Sequence, residues 1–258
     1  MLELRNLSIG YIGKKETTTV ASAINAIVPS SQMTCLLGAN GVGKSTLLRT
    51  ITRCQPKLEG QILIDNSDID TLTEKQMARK IGVVLTERPS VQDMTVTDLV
   101  ALGRSPYTGF FGKLEPKDLS AVETSIEQAG INRLADRTLD TLSDGERQRA
   151  FIAKALAQAT PVICLDEPTS FLDFPSKVEI MKLLSSLSHE TGKTIFLSTH
   201  DVELAIRIAD NLWLMHSDGT FTIGTPRQLA LDGSLSRFFD SDTILFDPSS
   251  MTIRIKTD

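Results

Sequence analysis

Residues 38–46 carry the most explicit chemistry in the chain. Gly38-Ala39-Asn40-Gly41-Val42-Gly43-Lys44-Ser45 fits the pattern G-x-x-x-x-G-K-[ST], and Thr46 follows directly. Glycines at these positions let the backbone curl until successive N–H groups point at phosphate oxygens. A helix opening at Ser45 adds the positive end of its dipole. Lys44 is then placed to reach the outer phosphates of a nucleoside triphosphate, and the Ser45 hydroxyl to ligate Mg²⁺. A second group lies downstream, where the apolar run Val162-Ile163-Cys164-Leu165 ends in Asp166-Glu167. Alone, such a pair reads as a solvated loop. Beside a phosphate loop on a neighbouring strand it reads as a hydrolytic centre. Asp166 would hold Mg²⁺ through its water shell, and Glu167 would orient or deprotonate the attacking water.

Both groups need a scaffold that delivers strand ends to one edge, as a parallel sheet does. The alternation of short apolar runs with helical spacing predicts an α/β fold. Its parts are a P-loop core with a mostly parallel sheet, an N-terminal antiparallel β part and an inserted helical subdomain. Strands are expected at residues 2–9, 20–28, 33–37, 61–64 and 81–85, with a helix over 45–53. From 97 to 159, Val100, Leu102, Val122, Ile126, Ala129, Ile152, Ala155 and Leu156 recur at helical spacing. The helical subdomain is therefore set at 87–159, between core segments 1–86 and 160–235. In the second segment, strands are expected at 162–165, 194–198, 211–215 and 220–223, and helices at 175–191 and 202–209. In the tail, 236–258, apolar segments 244–246 and 251–255 flank Asp247-Pro248-Ser249-Ser250. That turn chemistry predicts a small hairpin outside the core.

The bulk composition fits this scaffold and narrows the partners. With 258 residues, 41% hydrophobic and 23% charged, the chain can bury a full core. A net charge of −5 gives no electrostatic footprint for nucleic acid. No apolar run reaches the roughly 18–20 residues that cross a bilayer, and the first residues show no export signal. Cys35, Cys54 and Cys164 form no CxxC pair and read as buried, reduced thiols of a cytosolic protein. His189 and His216 read as structural or exposed residues without partners.

Further motifs narrow the phosphate-loop class. Leu142-Ser143-Asp144-Gly145-Glu146-Arg147-Gln148-Arg149 resembles the signature motif of ABC (ATP-binding cassette) ATPases, with Asp144 where that motif usually has glycine. Ser143-x-x-Glu146 is also a capping box, and a capped helix start is an anion site. Ser170-Phe171-Leu172-Asp173 resembles the family's D-loop, His200 its switch histidine and Tyr11 the aromatic that stacks on adenine. The resemblance implies ATP and Mg²⁺ as cofactors, with Glu167 and His200 catalytic and Ser45 and Asp166 at the metal. It implies a homodimer in which each ATP lies between residues 38–46 of one copy and Ser143, Gly145 and Glu146 of the other.

Val100-Ala101-Leu102-Gly103-Arg104-Ser105-Pro106-Tyr107 is similar to a segment of the ATPase subunits that serve bacterial importers of iron–siderophore complexes, haem and cobalamin. That likeness implies a permease partner in the inner membrane, a substrate-binding protein acting indirectly, and a place on the cytoplasmic face. The segment would lie where the family docks its permease. Two other readings stay open: an ABC ATPase without a permease, and an ATP-binding scaffold with little turnover. One departure stands out. Thr86 occupies the place of the family's usual glutamine after residues 81–85, so Glu87, or Thr86 through a water, is the expected substitute at Mg²⁺.

Overall fold

A computed structural model describes residues 1–13, 16–86, 93–109 and 112–256. The chain opens with strands β1 (Leu2–Ile12), β2 (Thr17–Val28) and β3 (Met33–Leu37), then helix α1 (Lys44–Ile51). Strands β4 (Glu59–Ile64) and β5 (Ser67–Asp68), helix α2 (Glu74–Met77) and strand β6 (Ile81–Val84) follow. Three helices come next: α3 (Val96–Ala101), α4 (Pro116–Gln128) and α5 (Asp144–Ala157). The alternating part consists of β7 (Val162–Asp166), α6 (Phe174–Thr191), β8 (Thr194–Ser198), α7 (Val202–Ile208), β9 (Asn211–Met215) and β10 (Phe221–Gly224). Helices α8 (Pro226–Leu231) and α9 (Ser234–Phe239) lead to β11 (Ile244–Asp247) and β12 (Thr252–Ile255).

The central sheet has the order β10-β9-β3-β8-β7-β6, parallel except for β10. Its inner strands are buried on both faces, which is why they read as unbroken apolar runs. The pleat divides each run. Met33, Cys35, Leu37, Ile163, Leu165, Ile195, Leu197, Leu212 and Leu214 join one apolar cluster with α3–α7. Leu36, Val162, Cys164, Phe196, Trp213 and Met215 join the other, against α1 and the antiparallel sheet β2-β1-β4-β5.

β1 runs three residues past the expected end, because Gly10, Tyr11 and Ile12 continue to pair with Thr19, Thr18 and Thr17. A Cβ on Gly10 would lie 2.0 Å from the Thr18 carbonyl oxygen, so only glycine permits that approach. Helices α2, α8 and α9 were not expected from the sequence. Each spans six residues or fewer, too short for a helical period to register. β11 and β12 pair as an antiparallel hairpin. It does not stand outside the core: Phe246 is buried in the first cluster, and Met251 and Ile253 pack against it. Cys35 and Cys164 are buried and their thiols are pushed up by desolvation. Cys54 is exposed, contrary to the expected burial, because it follows the last turn of α1 rather than lying in a strand.

Candidate nucleotide-hydrolysis site

The loop between β3 and α1 takes its shape from glycines in tight or left-handed positions. Gly43 has φ 117°, and a Cβ there would lie 2.2 Å from Val20 Cγ1. Gly41 has φ 77° with open space around it, so its need is conformational. Lys44 opens α1, one residue earlier than expected. Its ammonium turns back over the loop and donates to the carbonyls of Gly38 at 2.9 Å and Ala39 at 3.1 Å. Burial lowers the Lys44 pKa, and the charges of Glu167 and Asp166 pull it back up. Thr46 Oγ1 shares a 2.7 Å hydrogen bond with the Tyr11 hydroxyl. That bond fixes a half-exposed ring beside the loop.

β7 delivers the two carboxylates at its C-terminal end, next to β8. Asp166 Oδ1 accepts from Ser198 Oγ at 2.7 Å and from Ser45 Oγ at 3.1 Å. The Thr86 hydroxyl donates to the Asp166 backbone carbonyl at 2.7 Å. Thr86 thus braces the strand end through the main chain. Glu167 leaves the strand with φ 49°, a left-handed backbone conformation. Its N–H donates to Ser198 Oγ at 3.0 Å. Its carboxylate accepts from Ser170 Oγ at 3.0 Å and is paired with His200 Nε2.

These groups surround a cleft of about 400 Å³ lined by Tyr11, Asn40, Gly41, Gly43, Lys44, Ser45, Thr46, Glu167 and His200. Gly38, Ala39 and Val42 belong to the same loop. Ser45 Oγ lines the cleft, and Asp166 Oδ1 behind it completes a pair of hard oxygens 3.1 Å apart. Among the described residues there is no cluster of three His, Cys, Asp or Glu side chains able to hold a metal. A cation here would therefore take one hydroxyl and one carboxylate from protein and fill its shell with phosphate and water, which is the habit of Mg²⁺. The residues fit that ion. Glu87 lies outside the described residues.

Ser143, Gly145 and Glu146 do not line this cleft. They form the start of α5, where Ser143 Oγ accepts from the Glu146 N–H at 3.3 Å and Glu146 Oε2 accepts from the Ser143 N–H at 2.8 Å. Glu146 Oε2 also accepts from the Ser143 hydroxyl at 2.9 Å, and the two bonds to this carboxylate, first from the Ser143 backbone and then from its hydroxyl, hold it below the usual range. Gly145 approaches α6, with Ser176 Oγ 3.2 Å from where its Cβ would be.

Other residues have different settings from those expected. Within the 100–107 segment Arg104 is buried, pairs with Asp118 at 2.9 Å and donates to the Ala157 carbonyl at 2.7 Å. Its guanidinium stacks on Tyr107, whose hydroxyl donates to the Gln158 carbonyl. The segment thereby fastens α3 and α4 to the end of α5. His189 contacts the Asp210 carboxylate at 3.0 Å, and His216 contacts Thr222 Oγ1 at 2.9 Å, so both have partners. Ser198 and Ser170 are the site residues that sequence reasoning missed. Each serine lies in a segment already singled out, but nothing in serine spacing shows which strand end faces which.

Residues 21–170 match the model of the ABC transporter family. The chain belongs to that family. Ferric enterobactin transport ATP-binding protein FepC of Escherichia coli (strain K12) is 36% identical over 241 residues, covering 93% of this chain and 88% of FepC. Iron(3+)-hydroxamate import ATP-binding protein FhuC of Bacillus subtilis (strain 168) is 32% identical, covering 96% and 91%. A metal-chelate type ABC transporter solved in an inward-facing conformation matches with TM-score 0.78 at 28% identity, covering 92% of this chain and 88% of that one. The dimeric cassette MJ0796, in a post-hydrolysis state bound to ADP and Pi, matches with TM-score 0.74 at 28% identity, covering 88% and 99%. The chain is accordingly an ABC ATPase, with the α/β cassette fold of that family.

Proposed function

We propose that this chain is the ATP-hydrolysing subunit of an importer of ferric chelates, working as a homodimer on the cytoplasmic face of a membrane. The geometric observation that carries the hydrolytic part is Glu167: its carboxylate is tethered by Ser170 and His200 on the same cleft as Lys44. Lys44 releases the loop carbonyls and takes up the β- and γ-phosphates, while backbone N–H groups of residues 39–45 meet the remaining oxygens. Tyr11 offers its ring to adenine. Ser45 and Asp166 would hold Mg²⁺, which would supply charge neutralisation on the phosphates. Glu167 orients a water in line with the γ-phosphorus. As the new O–P bond forms and the bond to ADP breaks, Glu167 accepts the water's proton. His200 keeps that carboxylate in place and faces the γ-phosphate.

Ser143, Gly145 and Glu146 are not among the residues that line this cleft, which supports the dimer, in which the α5 start of a second copy supplies those donors. ATP then favours the closed pair, and hydrolysis removes the preference. Among the described residues no helix is long and apolar enough to cross a membrane; in this reading a permease carries the cargo across. A substrate-binding protein would act through that permease. The cargo class rests on the relatives: the cargoes named for FepC and FhuC differ in chelator and share ferric iron.

The test has two arms. Glu167→Gln should keep ATP affinity, lower phosphate release by about 10²–10⁴-fold and elute as a dimer with ATP and Mg²⁺. Turnover at the wild-type rate in that variant would sink the role of Glu167. Vesicles carrying the chain with its permease and binding protein should take up a labelled ferric siderophore in preference to haem or cobalamin. The reverse preference would overturn the cargo class.

A further inference from the structure

Asp201 follows His200 directly, and none of the roles above uses it, yet its carboxylate joins three segments. Oδ1 accepts from Lys177 Nζ at 2.7 Å, and Oδ2 accepts from Thr169 Oγ1 at 2.5 Å. Its own N–H donates to Thr199 Oγ1 at 3.0 Å. Thr169 and Thr199 are both buried, with their hydroxyls 3.5 Å apart. Thr169 lies two residues after Glu167, and Thr199 one residue before His200. Lys177 stands on the first turns of α6, where its N–H donates to the Asp173 carbonyl at 2.9 Å. The two loops that bear Glu167 and His200 are thus fastened to one another and to one helix.

Such fastening adds to the Ser170 and Ser198 contacts of Glu167 and holds the loop that carries its partner His200. The Glu167 and His200 side chains are 23% and 44% exposed, and each sits beyond a strand end. Lys177 and Asp201 are 27% and 19% exposed, and a partly desolvated ion pair holds its geometry better than a surface one. Lys177 does not line the cleft, so its charge has no direct hold on phosphate there. We infer that Lys177 is a positioning residue for hydrolysis: through Asp201 and Thr169 it keeps His200 and Glu167 in mutual register. The inference rests on the proposed hydrolytic role of Glu167.

Displacing a reacting group by about 1 Å costs roughly 10²-fold in rate, whereas ground-state binding responds only to groups that touch the ligand. Lys177→Met keeps the apolar stem and removes the ammonium; Lys177→Arg keeps charge and reach. Phosphate release by the full chain with ATP and Mg²⁺ should show kcat lowered by roughly tenfold or more for Lys177→Met. Its KM for ATP and its Tm should stay close to wild type. Lys177→Arg should recover most of the turnover, and Asp201→Asn should resemble Lys177→Met without adding to it in the double variant. A merely structural role would lower Tm and disturb KM and kcat together, and that result overturns the inference. So does a Lys177→Met enzyme with wild-type kcat while the wild type turns over; the ATPase reading then stands. A wild type without turnover overturns both.

Discussion

At the level of single side chains, ground-state binding and bond cleavage fall to different groups. Lys44 forms hydrogen bonds to loop carbonyls that it would exchange for phosphate oxygens, and charge-assisted bonds of this kind contribute about 1.5–3 kcal/mol. Lys44→Ala should therefore weaken nucleotide binding by roughly tenfold or more, read by equilibrium titration with a fluorescent ATP analogue. Ser198 works differently. It donates to Asp166 and accepts the Glu167 N–H, and it is fully buried. Ser198→Ala leaves a buried donor unpaired, at a cost of about 1–3 kcal/mol. It should depress kcat more than KM; equal loss in binding would show that Ser198 only shapes the loop. Lys44, Asp166 and Glu167 were legible because each belongs to a contiguous pattern with one chemical reading. The partners of Ser198, Asp201 and Thr86 were not. Their contacts cross between the ends of β6, β7 and β8, more than thirty residues apart in the case of Ser198 and Asp166, and depend on a strand order that no local spacing encodes.

Among the elements, α5 and the 103–107 segment are tied by contacts with different pH and stability signatures. The Ser143–Glu146 box caps α5, and Ser143→Ala should cost about 1 kcal/mol in chemical denaturation. The Glu146 carboxyl is held below its ordinary value of 4.5, chiefly by the Ser143 N–H. A group depressed on folding contributes fully above its unfolded value and loses that contribution as pH falls through the folded one. Thermal melts should show wild type losing stability in that acid window. Glu146→Gln, which preserves the box, should not lose the same increment. Arg104 is paired with Asp118 inside the helical layer, and breaking a buried pair is among the costlier single changes. Arg104→Ala should lower Tm by roughly 5–10 °C. An unchanged Tm with impaired transport would show that Arg104 serves permease docking rather than the stability of this layer. The long, strongly patterned elements were legible: β3, β8 and β9 have the expected bounds, and α6 begins one residue early. The buried place of Phe246 could not be foreseen, since a strand pattern shows which residues are apolar but not which distant face receives them.

For the molecule as a whole, the proposed sandwich makes a prediction that no single-chain reading does. In a two-fold dimer, one cleft uses the phosphate loop of the first copy and the α5 start of the second. Lys44→Ala and Gly145→Asp chains should each be nearly inactive alone. Mixing them should restore turnover, because one cleft of each mixed dimer escapes both changes. No recovery, with mixed dimers verified by tag pull-down, would refute the shared cleft. A further consequence follows from the position of β3 between β8 and β9. Met33 pairs with Ile195 and Thr34 with Asn211, across more than 160 residues of intervening chain. Local contacts form fast and distant pairings late. On the ribosome, the strand that carries the phosphate loop leaves the tunnel long before either neighbour is made. Its four apolar residues must wait without a sheet, and the growing chain has no assembled nucleotide cleft until residues 194–215 have emerged. Nascent chains of this cassette should bind chaperones across that whole interval and acquire ATP affinity abruptly near its end.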